Sequence, residues 1–230
     1  VSISELSIRR SGVYFRGSGL AVDTDGQTSI KGLFAAGDCA SVSGGIAGAA
    51  VLGHVAGEGV ASFIPKINGS LPQIDMKTAD VIRETAVKHM EVEEERSISW
   101  KSYEDEVRRT VNDYIGVRRN EAGLRHALQT LHALAKREPD LKADDLHGLM
   151  RVHESSSIRL NAELMATAAL ARDESRTGSS HYRLDHPESD ETNWKKFVIV
   201  QKGSKGAETS TLSASEPLAA AFDRKSSAST

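Results

Sequence analysis

The spacing of apolar positions changes character near Pro65, and that change divides the chain. Before it, Val13, Tyr14 and Phe15 favour a strand that Gly17, Ser18 and Gly19 break. Leu20, Ala21 and Val22 predict a second short strand, ended by the turn Asp23-Thr24-Asp25-Gly26. Leu33-Phe34-Ala35-Ala36 lies between Gly32 and Gly37, and a short all-apolar run of this kind suits a strand buried on both faces. From Gly44 to Phe63 the pattern becomes that of a helix of small residues. Gly45, Ala49, Gly53 and Gly57 recur at every fourth position, which predicts one face almost without side chains, packed close to its backbone.

Beyond Pro65 the chain is polar, then helical. Met76–Met90 predicts a connecting helix that ends in the solvated acid cluster Glu91, Glu93, Glu94 and Glu95. Tyr103, Val107, Val111 and Tyr114 form one helical stripe, which Gly116 breaks. Leu124, Leu128, Leu131 and Leu134 form a second, ended by Pro139. A third helix starts at the capping residues Asp144 and Asp145 and carries Leu146, Leu149, Met150, Leu160, Leu164 and Met165. Together these predict an antiparallel helical bundle. Phe197-Val198-Ile199-Val200 is strand-like, and the Ser-, Thr-, Ala- and Gly-rich stretch after about residue 203 is expected to be disordered.

The fold class expected is therefore α/β plus all-α. The expected divisions are an α/β segment at 1–64, a linker with a connecting helix at 65–98, a helical domain at 99–184 and an extension at 185–230. A net charge of −3 and an aromatic fraction of 5% exclude a nucleic-acid partner recognised by charge and stacking. The single cysteine, Cys39, supports neither an internal disulfide nor an iron–sulfur cluster, which points to an intracellular, cytoplasmic setting. No secretory pattern opens the chain. His54 and Glu58 interrupt the helix of small residues, so no membrane span is expected. No histidines pair with carboxylates at a metal-binding spacing, and no metal site is expected.

The stretch from Lys31 to Glu58, KGLFAAGDCASVSGGIAGAAVLGHVAGE, carries the clearest chemistry. A buried strand, a Gly37-Asp38 turn and a small-residue helix make a unit that binds a cofactor at the carboxyl end of a strand. Asp38 is placed to accept hydrogen bonds from the hydroxyls of a ribityl or ribose chain. The amides of Gly44, Gly45 and Ile46 lie at the helix start, where the dipole stabilises negative charge such as a reduced flavin carries.

GLFAAGD followed by GGIAGAAVLGHVAGE resembles the last FAD-binding segment of the fumarate reductase and succinate dehydrogenase flavoproteins, a family that includes L-aspartate oxidase and adenylylsulfate reductase. The later run DESRTGSSHYRLDHP, Asp173–Pro187, resembles the signature that closes the helical domain of the same family. The resemblance covers about residues 8–200. It implies that 1–64 is the C-terminal segment of a Rossmann-like FAD-binding domain, with Gly37 and Asp38 at the flavin ribityl and Gly44, Gly45 and Ile46 at the pyrimidine edge. It also implies an FAD-dependent oxidoreductase acting on a small, anionic substrate. Its electron partner would be a ferredoxin-like iron–sulfur subunit, docked on the helical domain.

Arg176, His181, Arg183 and Asp185 have two readings. One is a charge-assisted network that locks the loop after the last helix. In the other, Arg176 or His181 lines the active site. Arg16 is likewise either an anion contact or a surface residue. The family's substrate arginine loop has no counterpart, since only Cys39–Ser43 precedes Gly44, and Tyr14 stands near the place of its substrate histidine. The G-x-G-x-x-G phosphate turn and the capping domain are absent from the sequence as well. A reading of a different class is a non-catalytic helical interaction module attached to a degenerate nucleotide-fold remnant.

Overall fold

The computed structural model describes residues 18–40, 45–67, 75–176, 181–204 and 206–222. They fall into two units, one of residues 75–176 and 181–189, the other of 18–67 and 190–222. Val13–Phe15, Arg16 and Gly44 lie outside the described residues.

In the first unit each α-helix starts on a side chain that satisfies an otherwise unpaired amide. Helix α2, Met76–Val87, is capped by Asp75, which accepts from the Lys77 amide; α1 belongs to the other unit. Ser99 caps α3, Trp100–Thr110. Asn120 caps α4, Glu121–Ala135, accepting from the Gly123 amide at 2.8 Å. Asp145 caps α5, Leu146–Leu170, accepting from the Gly148 amide at 2.6 Å. A π-helical turn, Val111–Ile115, follows α3 and stops at Gly116.

The core forms where the stripes of α3, α4 and α5 meet, and Tyr103, Val107, Leu124, Leu131 and Val152 are fully enclosed there. Burial of each such aliphatic side chain stabilises by about 1.5–3 kcal/mol. Polar bonds run through the same interface. The Tyr103 hydroxyl donates to Glu138 Oε1 at 2.8 Å, and Arg159 Nε donates to the same oxygen at 2.6 Å. Two short parallel pairs stitch the connections: β1 (Ile98–Ser99) with β3 (Leu141–Lys142), and β2 (Arg118–Arg119) with β4 (Tyr182–Arg183).

The inner face of α5 differs from expectation. Leu149 is buried as expected, but Leu146, Met150, Leu160 and Met165 are exposed, and the rest of the packed stripe is Val152, Ser155, Arg159, Ala162, Ala166 and Ala169. Small residues on the inner stripe let α5 approach its neighbours closely, so size, not hydrophobicity alone, decides which face turns inward.

In the second unit α1, Gly45–Phe63, packs on the loop that precedes it. Gly26, held at φ +80°, sits over Ala56, and a methyl group on Gly59 would lie 2.3 Å from the Asp25 carbonyl oxygen. Phe63 meets Phe34 edge to face, at 5.8 Å between ring centres. The contact stripe is thus Ala49, Ala56, Gly59 and Phe63. The expected row of Gly45, Gly53 and Gly57 has nothing within 4 Å among the described residues. The reason is geometric: steps of four advance about 400° and drift off one face, whereas alternating steps of three and four stay on it.

Leu33–Ala36 is not buried on both faces. Among the described residues only Phe34 bridges, to Gln27, and Leu33 is 45% exposed while Ala35 is buried. The helix at Gly45–Lys66 is long and apolar enough to cross a membrane by length and composition. One side of it is occupied by the chain's own loop, and the His54–Glu58 pair, 3.4 Å apart, lies on it.

Within the stretch after residue 203, residues 207–213 form a strand, while residues 205 and 223–230 lie outside the described residues. β5, Lys196–Lys202, pairs antiparallel with β6, Ala207–Ser213, from Lys196↔Ser213 to Lys202↔Ala207. Glu208, Ser210 and Leu212 turn to the more buried side and Ala207, Thr209 and Thr211 outward. That alternation, with β-branched threonines, gives a strand to a composition that also fits a flexible tail.

Candidate functional site

Two groups of residues carry chemistry, one in each unit. In the unit containing α1, Ala36-Gly37-Asp38-Cys39 makes a single tight turn. Gly37 adopts φ +75°, a conformation that any side chain would strain, and its α-carbon faces Ala49 of α1. The turn therefore lies beside the first turns of α1. Asp38 is exposed, and its carboxylate makes no side-chain hydrogen bond among the described residues. At the start of α1, among the described residues, Gly45 has φ +56°, no acidic residue stands in the first turn, and Ile46 is 92% exposed. Of the five predicted cofactor contacts, the structure brings Gly37 and Asp38 next to the helix that begins with Gly45 and Ile46.

In the helical unit, Arg183 is the hub and is 1% exposed. It grips Asp185 with two parallel bonds, Nε to Oδ1 at 2.8 Å and Nη2 to Oδ2 at 2.9 Å. Its Nη1 donates to the carbonyls of Ala169 at 3.1 Å and Arg172 at 2.8 Å, closing the C-terminal end of α5. Asp185 Oδ2 in turn accepts from the Glu121 amide at 2.8 Å, at the start of α4. A cation thus sits at a helix C-terminus and an anion at a helix N-terminus, each complementing the local dipole. Hydrogen bonds from Arg183 hold the Asp185 carboxyl well below the usual carboxylate range.

Glu174 is fully buried and accepts from Arg172 and, at 2.5 Å, from Arg176 Nε. Ser175 Oγ accepts from the Arg183 amide at 2.8 Å and donates to the His186 carbonyl at 2.7 Å. Arg176 and His181 exchange backbone hydrogen bonds. The His181 ring is buried, with no hydrogen bond to Nε2 among the described residues. Burial, then the charge of Arg119, brings its pKa down to about 4, so the ring is neutral at pH 7. Arg119, itself buried, is brought down to about 10 by burial and by Arg183.

The pattern of bonds is that of a clamp tying the chain after α5 to the starts and ends of two helices. Sequence reading located Arg176, His181, Arg183 and Asp185 but missed Glu174, Arg172, Arg119 and the Glu121 amide. The doubled arginine at 118–119 and the alternation Arg172-Asp173-Glu174-Ser175-Arg176 were the available signals. Among the described residues no cluster of three or more His, Cys, Asp or Glu could hold a metal ion.

One unit is thus a helical bundle closed by such a clamp, and the other lays a Gly-Asp turn against a small-residue helix. Residues 104–221 match the family model described as fumarate reductase flavoprotein C-term, and the chain belongs to that family. It is 28% identical over 210 residues to the fumarate reductase flavoprotein subunit of Haemophilus influenzae, covering 85% of this chain and 34% of the relative. Adenylylsulfate reductase from Archaeoglobus fulgidus superposes with a TM-score of 0.76 at 25% identity, over 84% of this chain and 33% of that one. The Sdh1 complex of Mycobacterium smegmatis does so with a TM-score of 0.72 at 27% identity, over 86% and 36%. The chain spans about a third of the length of the relatives it matches.

Proposed function

We propose that the chain is the flavin-facing C-terminal part of an FAD-dependent oxidoreductase, which moves two electrons between a small, anionic substrate and the flavin. The observation that carries this reading is the exposed Gly37-Asp38 turn beside the start of α1, in a member of a flavoprotein family. Residues 1–64 are then the closing segment of a Rossmann-like FAD-binding domain, 65–98 its link to the helical domain at 99–184, and 185–230 an extension. The fumarate and adenylylsulfate of the relatives' names are small anions, which supports a substrate of that class. The electron partner in this reading is an iron–sulfur subunit of ferredoxin type, as the family resemblance implies.

The residues present fit the flavin end of FAD. Asp38 would accept from the ribityl hydroxyls, and the amides of Gly45 and Ile46, with that of Gly44 outside the described residues, would serve the pyrimidine edge. When bound, FAD supplies the two-electron chemistry. The helix start contributes a fixed positive field that favours negative charge at that edge, with no acidic side chain to oppose it. Gly37 admits the turn that aims Asp38. No G-x-G-x-x-G occurs in the sequence, so the pyrophosphate is seated elsewhere in the complete protein. Arg16 is a candidate anion contact. Arg176 is another, since its side chain is 27% exposed even while paired with Glu174. His181, neutral and enclosed, positions the surrounding arginines.

The test is purification of the complete polypeptide, with an absorbance spectrum for bound flavin and a screen of small oxidisable and reducible anions. Asp38→Ala removes one or two charge-assisted hydrogen bonds of about 1.5–3 kcal/mol each, and the variant is expected to lose flavin on gel filtration. Full flavin stoichiometry in that variant refutes the role of Asp38. A wild-type protein without flavin absorbance refutes the whole reading and favours an interaction module.

A further inference from the structure

Two histidines hold the end of α2 to the helical bundle. No residue of α2 is buried, and among the described residues only Val87 of this helix packs against the core. The helix runs into a short turn, Lys88–Met90, in which His89 is buried. His89 Nδ1 lies 2.9 Å from the Leu141 carbonyl oxygen, and His153 Nε2, on α5, lies 2.9 Å from that of Ala86. A carbonyl oxygen only accepts, so both ring nitrogens donate and each tautomer is fixed. The His89 carbonyl in turn accepts from the Ala143 amide at 3.0 Å. The two rings stand edge to face, 5.7 Å apart between centres.

Neutral imidazoles, with one proton each, suffice for these bonds. A second proton on His89 is opposed first by burial, and then by the charges of a protonated His153 and of Lys88; the bond to Leu141 and the charge of Glu138 work the other way. Burial prevails, and the pKa of His89 lies below the ordinary histidine value. Glu138 is already engaged, accepting from Tyr103 and Arg159. The other charges nearby on the packed elements are matched: Lys142 of β3 by Glu94 and Asp144, and Arg151 and Glu154 of α5 by each other. Even with the dielectric constant of water, two unit charges at the ring separation disfavour each other about threefold.

We propose that His89 and His153 form an acid-released latch, which fastens the end of α2 to the bundle at neutral pH and frees it when both rings are protonated. In the released state each imidazolium is hydrated and apart from the other, so that state takes up protons more readily and falling pH favours it. The enclosed core residues come from α3, α4, α5 and their connections, with none from α2, so release leaves the bundle folded.

The experiment is amide exchange on the full-length protein at about pH 7.5 and about pH 5.5, on either side of the histidine range. Mass spectrometry reads it as protection relative to the chemical rate at each pH. Protection of residues 84–91 is expected to fall about threefold or more at the lower pH, in excess of any fall in α4, which reports the bundle as a whole. His89→Asn combined with His153→Gln keeps an amide donor near each carbonyl and removes both titrations. This variant should match the wild type at the higher pH and lose the excess fall at the lower one. His153→Gln alone, at an exposed position, should shrink it. Wild-type protein with equal protection of residues 84–91 at the two pH values overturns the latch. An excess fall undiminished in the variants overturns it too, because another group then drives the opening. If the double variant is already unprotected at the higher pH, His153→Gln decides: a fall as large as that of the wild type overturns the proposal, and a smaller one upholds it.

Discussion

Arg183 shows how much one buried guanidinium does when its geometry is satisfied on every side. It joins Asp185, the end of α5 and, through Asp185, the start of α4. Removing one member of a buried pair costs about 3–5 kcal/mol, because the other is left uncompensated. Arg183→Met is therefore expected to lower stability to urea by that amount, and Arg183→Lys by nearly as much, since an ammonium cannot span the two carboxylate oxygens and the helix carbonyls together. An unfolding midpoint unchanged in Arg183→Met would show that the clamp is only a surface ornament. His181, a few residues away, gives the protein a pH dependence. Its pKa is about 4 when folded and near 6.5 when free, so the unfolded chain binds the extra proton. Stability should be flat above pH 6.5, fall by about 3 kcal/mol as pH drops toward 4, and then level off for this group. His181→Gln should reduce that slope, and what remains belongs to His89, whose pKa burial also lowers. Asp185 acts in a separate window: its contribution is present above pH 3.8 and is lost below it as the carboxyl protonates.

At the scale of elements, α1 is where close packing matters most. Gly59 has no room for a methyl group against the Asp25 carbonyl, while Gly53 has open space around it. Gly59→Ala should destabilise the chain by about 1–3 kcal/mol, as overpacking does. Gly53→Ala should stabilise it by about 0.5–1 kcal/mol through helix propensity. Thermal unfolding of the two variants side by side tests the assignment, and the opposite order of melting temperatures would return the packed face to Gly53. Most elements were legible beforehand because their signals are local: the cap Asp145, the breaker Gly116, the leucine stripe of α4. The inner face of α5 was not, because its alanines and serines carry little hydrophobic signal. β6 was not, because a strand edge made of Thr and Ser is recognisable only once β5 pairs with it.

For the molecule as a whole, the proposed reading gives the chain the flavin end of a site without the phosphate end. A few hydrogen bonds worth roughly 1 kcal/mol each do not offset an association cost of at least about 4 kcal/mol. Residues 1–230 alone are therefore expected not to bind FAD with useful affinity. Flavin fluorescence during titration checks this, and saturable one-to-one quenching in the micromolar range would refute it. By itself the sequence determined the helices and their caps, the Gly37-Asp38 turn, and the family, since each depends on residues near one another in the chain or on motifs in fixed order. Only the tertiary structure decided which side of α1 is packed, which face of α5 is left uncovered, and that Arg183 binds the carbonyls of one helix and, through Asp185, the amide of another. Those outcomes depend on the shape and unpaired groups of partners far away in sequence, which no local pattern records.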